Sequence, residues 1–151
     1  MAKKNLSPRK QLPAISIIIP VFNEVENIVL LFDHLKAVVH KLPYAFEILF
    51  VDDGSTDGTL RTIKELQERD RRIKAISFSR NFGHQAALTA GLQYATGDAV
   101  ITMDGDLQHP PSLIPTLIEK WREGFQIVYT TRESTVDEPF FKKLTSRLFY
   151  R

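Results

Sequence analysis

The sequence predicts an α/β fold, a doubly wound and mostly parallel sheet with helices on both faces, on three observations. Short β-branched runs alternate with amphipathic stretches along the whole chain. The apolar runs are near-continuous, as in strands covered on both faces. Turn residues fall between the two kinds of segment. Strands alternating with helices of this length are joined by right-handed crossovers, which makes the sheet parallel.

Residues 1–13 are polar and basic without periodicity and are expected to form a flexible leader, with order beginning at Ala14. Strands are predicted at Ile15–Ile19, Glu47–Val51, Ile73–Phe78, Ala99–Met103 and Ile127–Thr130. Helical spacing places Ile28, Leu31, Leu35 and Val38 on one face of a first helix, and Leu60, Ile63 and Leu66 on a second. Leu88, Leu92 and Ala95 mark a third, and Ile114, Leu117, Ile118 and Trp121 a fourth. Asn23 with Glu26 has the pattern of a capping box, Asp57 suits the cap of the second helix, and Pro111 suits a first turn. Gly97 and Gly124 stand where helices should stop.

The chain has 151 residues, 43% hydrophobic and 25% charged, which is enough for one domain with a sizeable core. It has no cysteine. Disulfides and thiolate metal sites are therefore excluded, and any metal must be held by oxygen ligands or histidines. The net charge of +2 is small, but Lys3, Lys4, Arg9 and Lys10 open the chain, while Lys142, Lys143, Arg147 and Arg151 close it. Basic ends suit phosphates or anionic lipid, and equally suit solvated termini. No apolar run approaches the ~18 residues of a bilayer span, and the N-terminus lacks the apolar stretch of a signal peptide. The chain as given is expected to be soluble or peripheral.

In such sheets ligands bind beyond the carboxyl ends of the strands. That directs attention to 20–24, 52–57, 79–83, 104–109 and 131–132. The strongest signal is Asp104-Gly105-Asp106, directly after a predicted strand. Alternate carboxylates there can face one hard cation, and Mg²⁺ or Mn²⁺ held this way can bridge the oxygens of a diphosphate. The same string also serves as an acidic turn. Asp52 and Asp53 follow the second strand and can accept from base N–H or ribose hydroxyl groups; Asp, Gly, Ser and Thr are equally what turns use. Arg80, in Ser79–His84, supplies a cation for phosphate or ties down its own loop. His84 and His109 are candidate ligands or bases, or hydrogen-bonded structural residues. Neither a Walker-type loop nor G-x-G-x-x-G follows the first strand, and no G-x-S-x-G elbow occurs.

Together, PVFNE, VDDGSTDGT, SRNFGHQAAL and MDGDLQHPP, between Ile15 and Arg132, resemble family 2 glycosyltransferases, with their GT-A, Rossmann-like fold. The likeness is strongest to the polyprenyl-phosphate, dolichol-phosphate mannosyltransferase-like members. The resemblance implies a nucleotide-sugar-binding GT-A domain over 14–132. Its pocket would be lined by Pro20, Phe22, Glu24, Asp52, Asp53, Asp104, Gly105, Asp106 and Arg132, the last facing phosphate. Asp104 and Asp106 would be catalytic, holding Mg²⁺ or Mn²⁺ together with Gln108. The implied reaction is metal-dependent, inverting transfer of a hexose from a UDP- or GDP-sugar to undecaprenyl or dolichyl phosphate. It would run at the cytoplasmic face of a membrane, in the making of cell-envelope glycans, with homo-oligomers conceivable and no nucleic-acid partner.

Family members run longer. Residues 133–151 interleave Phe140, Phe141, Leu144, Leu148 and Phe149 with Lys142, Lys143 and Arg147. They are expected to form an amphipathic helix on a bilayer surface or against further protein, the start of an acceptor and membrane region. The alternative function is a fragment that binds nucleotide-sugar and metal without turnover. A phosphoacceptor receiver-like module also pairs aspartates after a strand, but no suitably placed lysine follows the final strand here.

Overall fold

A computed structural model of the chain describes residues 12–131. Strands β1 (Ala14–Val21), β2 (Ala45–Asp52), β3 (Ile73–Ser77) and β4 (Ala99–Thr102) form one parallel sheet in the order β3-β2-β1-β4. Helices α1 (Val25–Val39), α2 (Thr59–Arg69) and α3 (His84–Tyr94) connect them. A 3₁₀ turn, Pro111–Leu113, leads into α4 (Ile114–Arg122).

β1 is the centre of the core because its β-branched residues have period-two access to both faces. Ile15, Ile17, Ile19 and Val21 pack with Ile28, Leu31 and Leu35 of α1, Ile63 of α2, and Ile114 and Ile118 of α4. Ile18 points the other way, with Leu49 and Val51, against Ala87 of α3. Helices thus cover both faces, three on one and α3 on the other. The buried stripe of α1 closes with Phe32 and Val39, and Val38 is only partly buried.

The face of α3 matches the expected one only in part: Leu88 and Ala95 pack against this core, but Ala87 and Gly91 are the residues buried on the sheet, and Leu92 is exposed. A Cβ on Gly91 would lie 2.3 Å from Ile18 Cγ2, so the helix crosses too close to the sheet for a leucine on this line.

Helix starts also differ. α1 begins after Glu24 with no side-chain cap, so the capping box from Asn23 and Glu26 does not form. Asn23 adopts φ 55, and its Oδ1 accepts from Thr56 N instead. Gly58 occupies the cap position of α2. Asp57 accepts from Thr59 N and Oγ1, and its second oxygen accepts from Val25 N, so it serves the starts of both helices. Gly124, at φ 102, stops α4 as expected.

The predicted fifth strand, Ile127–Thr130, is not formed. Ile127 is 84% exposed and Tyr129 79%. A strand exists only through a neighbour's ladder of hydrogen bonds. Val128 to Thr130 instead line a groove of about 550 Å³ together with β4 and with Leu117 and Trp121 of α4.

At the amino end of the sheet, a carboxylate holds three segments together. Glu47 Oε1 accepts from Ser16 Oγ at 2.5 Å and from Thr96 N and Oγ1 at 2.6 and 3.0 Å, and Lys74 pairs with Oε2. Burial pushes the Glu47 pKa up, but the bonds from Lys74, Ser16 and Thr96 outweigh it and bring it down to about 2.

Among the described residues, no helix is long and apolar enough to cross a membrane. Residues 1–11 of the leader expected over 1–13, the amphipathic segment 133–151 and Arg132 lie outside the described residues.

Candidate active site

The sheet order reverses at β1, which has β2 on one side and β4 on the other. The helix that leaves β1, α1, covers one face of the sheet, the helix that leads into β4, α3, covers the other, and a crevice opens where the two diverge. A cleft of about 450 Å³ lies there. The end of β1 and the turn after it contribute Pro20, Val21, Phe22 and Glu24; Asp53 comes from just beyond β2; the segment entering α3 contributes Asn81, Gly83 and His84. Asp104, Gly105 and Asp106 come from beyond β4.

Cross-loop hydrogen bonds fix the near wall. Asn23 N donates to Ser55 Oγ at 2.9 Å and Glu24 N to Thr59 Oγ1 at 2.8 Å, while Thr56 N donates back to Asn23 Oδ1 at 2.8 Å. Burial pushes the Asp57 pKa up, but the hydrogen bonds from Thr59 and Val25 together outweigh it and hold its carboxyl below the usual carboxylate range. The Glu24 carboxylate accepts from Asn27 Nδ2 at 2.6 Å. Phe22 stays 44% exposed at the rim, an apolar face a planar ring can lie on.

Asp53 is both wall and anchor. Its two oxygens accept from Phe82 N at 2.7 Å and Gly83 N at 2.9 Å. Gly54 makes this possible, since a Cβ there would sit 2.4 Å from the Arg80 carbonyl carbon. Asp52 departs from expectation and does not line the cleft. It is 1% exposed, and its oxygens accept from Ser55 N and Ser77 Oγ, because the last residue of β2 turns it back against β3. Arg80 is likewise not on the cleft; its guanidinium lies 4.8 Å over the Phe82 ring.

Asp104 and Asp106 line the same cleft from either side of Gly105. Gly105 is buried, and a Cβ there would meet Val21 Cγ1 at 2.8 Å, so the turn is seated directly on the end of β1. Asp106 Oδ1 accepts from Gln108 N at 3.0 Å. Gln108 itself is exposed and stands apart from the lining. Asp104 lies between two imidazoles, His109 Nδ1 at 3.2 Å from Oδ2 and His84 Nε2 at 3.8 Å from Oδ1. Among the described residues, no three His, Cys, Asp or Glu side chains converge into a closed cation site. Two carboxylates at a cleft mouth nevertheless fit Mg²⁺ or Mn²⁺, which complete their shells with phosphate oxygens and water. Sequence reasoning did not single out Asn81 or Gly83, although the SRNFGH string contains both; their place on the cleft follows from Asp53 holding their loop.

The glycosyl transferase family 2 profile matches residues 16–151. The chain belongs to that family. This family 2 chain is 48% identical over 136 residues to the uncharacterized glycosyltransferase YkcC of Bacillus subtilis, covering 90% of this chain and 42% of that one. It is 42% identical over 137 residues to the bactoprenol glucosyl transferase of Shigella phage SfX, covering 91% and 45%. It therefore spans less than half the length of these relatives. Among solved structures, the Pyrobaculum calidifontis mannosyltransferase PcManGT, in complex with GDP-Man and Mn²⁺, aligns with a TM-score of 0.55 at 27% identity. That alignment covers 69% of this chain and 31% of the other. The fold is the GT-A arrangement of this family.

Proposed function

We propose that the chain forms the donor side of an inverting, metal-dependent hexosyltransferase that moves sugar from a nucleoside diphosphate to a polyprenyl phosphate at the cytoplasmic face of a membrane. One observation carries the reading: Asp104 and Asp106 share a cleft with Phe22, Glu24 and Asp53 at the point where the strand order reverses. The bactoprenol glucosyl transferase relatives support the acceptor class, and the GDP-Man and Mn²⁺ bound to PcManGT support the donor class and the ion.

In this reading Phe22 packs against the nucleoside. Asp53 spends one lone pair of each oxygen on Phe82 and Gly83, which leaves acceptor capacity for a base N–H or ribose hydroxyl. Glu24 is placed to accept in the same way. Asp104 and Asp106 hold the cation, with Gln108 as a further oxygen ligand. Bound there, the ion offsets the charge that builds on the departing diphosphate. Arg132 is assigned to the same diphosphate. A phosphate monoester acceptor has a second pKa of about 6 and is largely dianionic near neutrality, so no strong base is required of the chain. Residues 133–151 are proposed to rest on the bilayer through their phenylalanines and lysines.

The test is a thermal-shift panel of UDP- and GDP-sugars with and without Mn²⁺. One donor should shift the melting temperature only when Mn²⁺ is present, and Asp106→Ala should abolish that shift. Shifts of equal size without the ion, or unchanged donor affinity in Asp106→Ala, refute the assignment. Incubation with donor, Mn²⁺ and polyprenyl phosphate then separates transfer from the alternative of donor binding without turnover.

A further inference from the structure

We propose that His109 is a positioning residue: its Nδ1 accepts from the Asp104 N–H and so fixes the strand end from which that residue's carboxylate reaches the cation. This role rests on the donor-site reading above.

The ladder of β4 ends with Met103, whose N–H donates to Ile18 O. The next N–H, that of Asp104, donates to His109 Nδ1 at 3.2 Å. An imidazole nitrogen accepts only when it carries no proton, so the neutral ring holds its proton on Nε2. The same Nδ1 lies 3.2 Å from Asp104 Oδ2. One nitrogen cannot accept from the amide and donate to the carboxylate in the same state. The amide bond takes precedence, because the alternative leaves a part-buried N–H without this partner. The amide bond therefore fixes the strand end from which the Asp104 carboxylate enters the cleft.

The ring is held on a stiff mount. Pro110 and Pro111 follow it directly, with φ fixed by their rings, and Pro111 is buried where it opens the turn into α4. Between the two ends of the loop, Leu107 takes φ 64 and packs against the main core. His109 therefore ties a short loop, anchored at Leu107, back onto the strand end from which Asp104 projects. His84, at 3.8 Å from Oδ1, is beyond hydrogen-bond reach and does not compete.

The experiment uses the whole chain and three variants. His109→Asn keeps an acceptor near the Nδ1 position, His109→Phe keeps a ring without one, and His109→Ala removes both. Titration with Mn²⁺ alone, read from the free-ion electron paramagnetic resonance signal, should show about ten-fold weaker binding in the Phe and Ala variants. His109→Asn should stay within about three-fold of the parent, well under the ten-fold or greater cost usual for losing such a partner. Independently of any metal, ¹⁵N resonances of the ring in the neutral form should report the Nε2–H tautomer. An Nδ1–H tautomer overturns the proposal, as does parental Mn²⁺ affinity in His109→Phe while Asp104→Asn binds weakly. If Asp104→Asn binds Mn²⁺ as tightly as the parent, the donor-site reading falls, and the proposal falls with it.

Discussion

Gly54→Ala should cost far more than the methyl group suggests. Gly54 has φ +74, and any other residue there pays about 1–2 kcal/mol for the left-handed conformation. The new Cβ would also sit 2.4 Å from the Arg80 carbonyl carbon and 2.7 Å from its Cα, against the 3.4 Å at which ordinary contact begins. Backbone cannot rotate away as a side-chain tip can, so the segment at Arg80 must retreat by about 1 Å to restore ordinary contact. The two amides that bond Asp53 belong to Phe82 and Gly83, directly beyond, at 2.7 and 2.9 Å. A shift of that size stretches both past useful length, and each bond to a charged acceptor is worth about 1.5–3 kcal/mol. With partial relaxation, the total is about 3–5 kcal/mol, a large part of the ~5–15 kcal/mol that a domain has. Urea denaturation measures it. Gly124→Ala is the control, because Gly124 has φ +102 but nothing within 4 Å of a new Cβ. Gly54→Ala should exceed the control by at least about 2 kcal/mol, the value of one such charged bond. Equal losses would refute the argument that the Arg80 segment rests on this glycine.

Three further outcomes follow from the same geometry. The folded pKa of Glu47 is about 2, below its unfolded value of 4.5, so the unfolded chain binds more protons between them and stability falls as pH drops through that window. The parent should lose about 3 kcal/mol relative to Glu47→Gln between pH 5 and pH 2, read by denaturation across pH; a constant difference would show that the network adds nothing. Gly91→Ala gains about 1 kcal/mol of helix propensity but drives a methyl to 2.3 Å from Ile18 Cγ2, so it should be net destabilising, and much less so in an Ile18→Ala background. Asp53→Asn places an amide opposite two N–H donors and should lower the melting temperature and donor affinity together; a loss of affinity at unchanged stability would mean the anchoring bonds carry little.

Much of the fold was legible because its signals are local. The β-branched runs of β1 and β2 can be little other than covered strands, and each lies within two residues of its expected ends. Asp104-Gly105-Asp106 was readable because a strand end and two carboxylates are adjacent in sequence. On α3, Leu88 and Ala95 were read rightly but Leu92 misled, since a leucine at helical spacing looks like core until the separation of helix and sheet is known. Ile127–Thr130 misled for a related reason: its composition suits a strand, but pairing depends on a neighbour that no local pattern supplies.

The sequence by itself determined the order of elements, the parallel sheet, the strand tips where ligands bind, and membership of family 2. Tertiary structure alone decided how the two neighbouring carboxylates after β2 divide their work, Asp52 turned into the sheet and Asp53 turned to the cleft. It alone brought His109 to Asp104 and Gly54 under Arg80. The physical reason is range: propensity and periodicity act over a few residues, whereas hydrogen bonds and steric exclusion act on whatever the folded chain brings within about 3 Å.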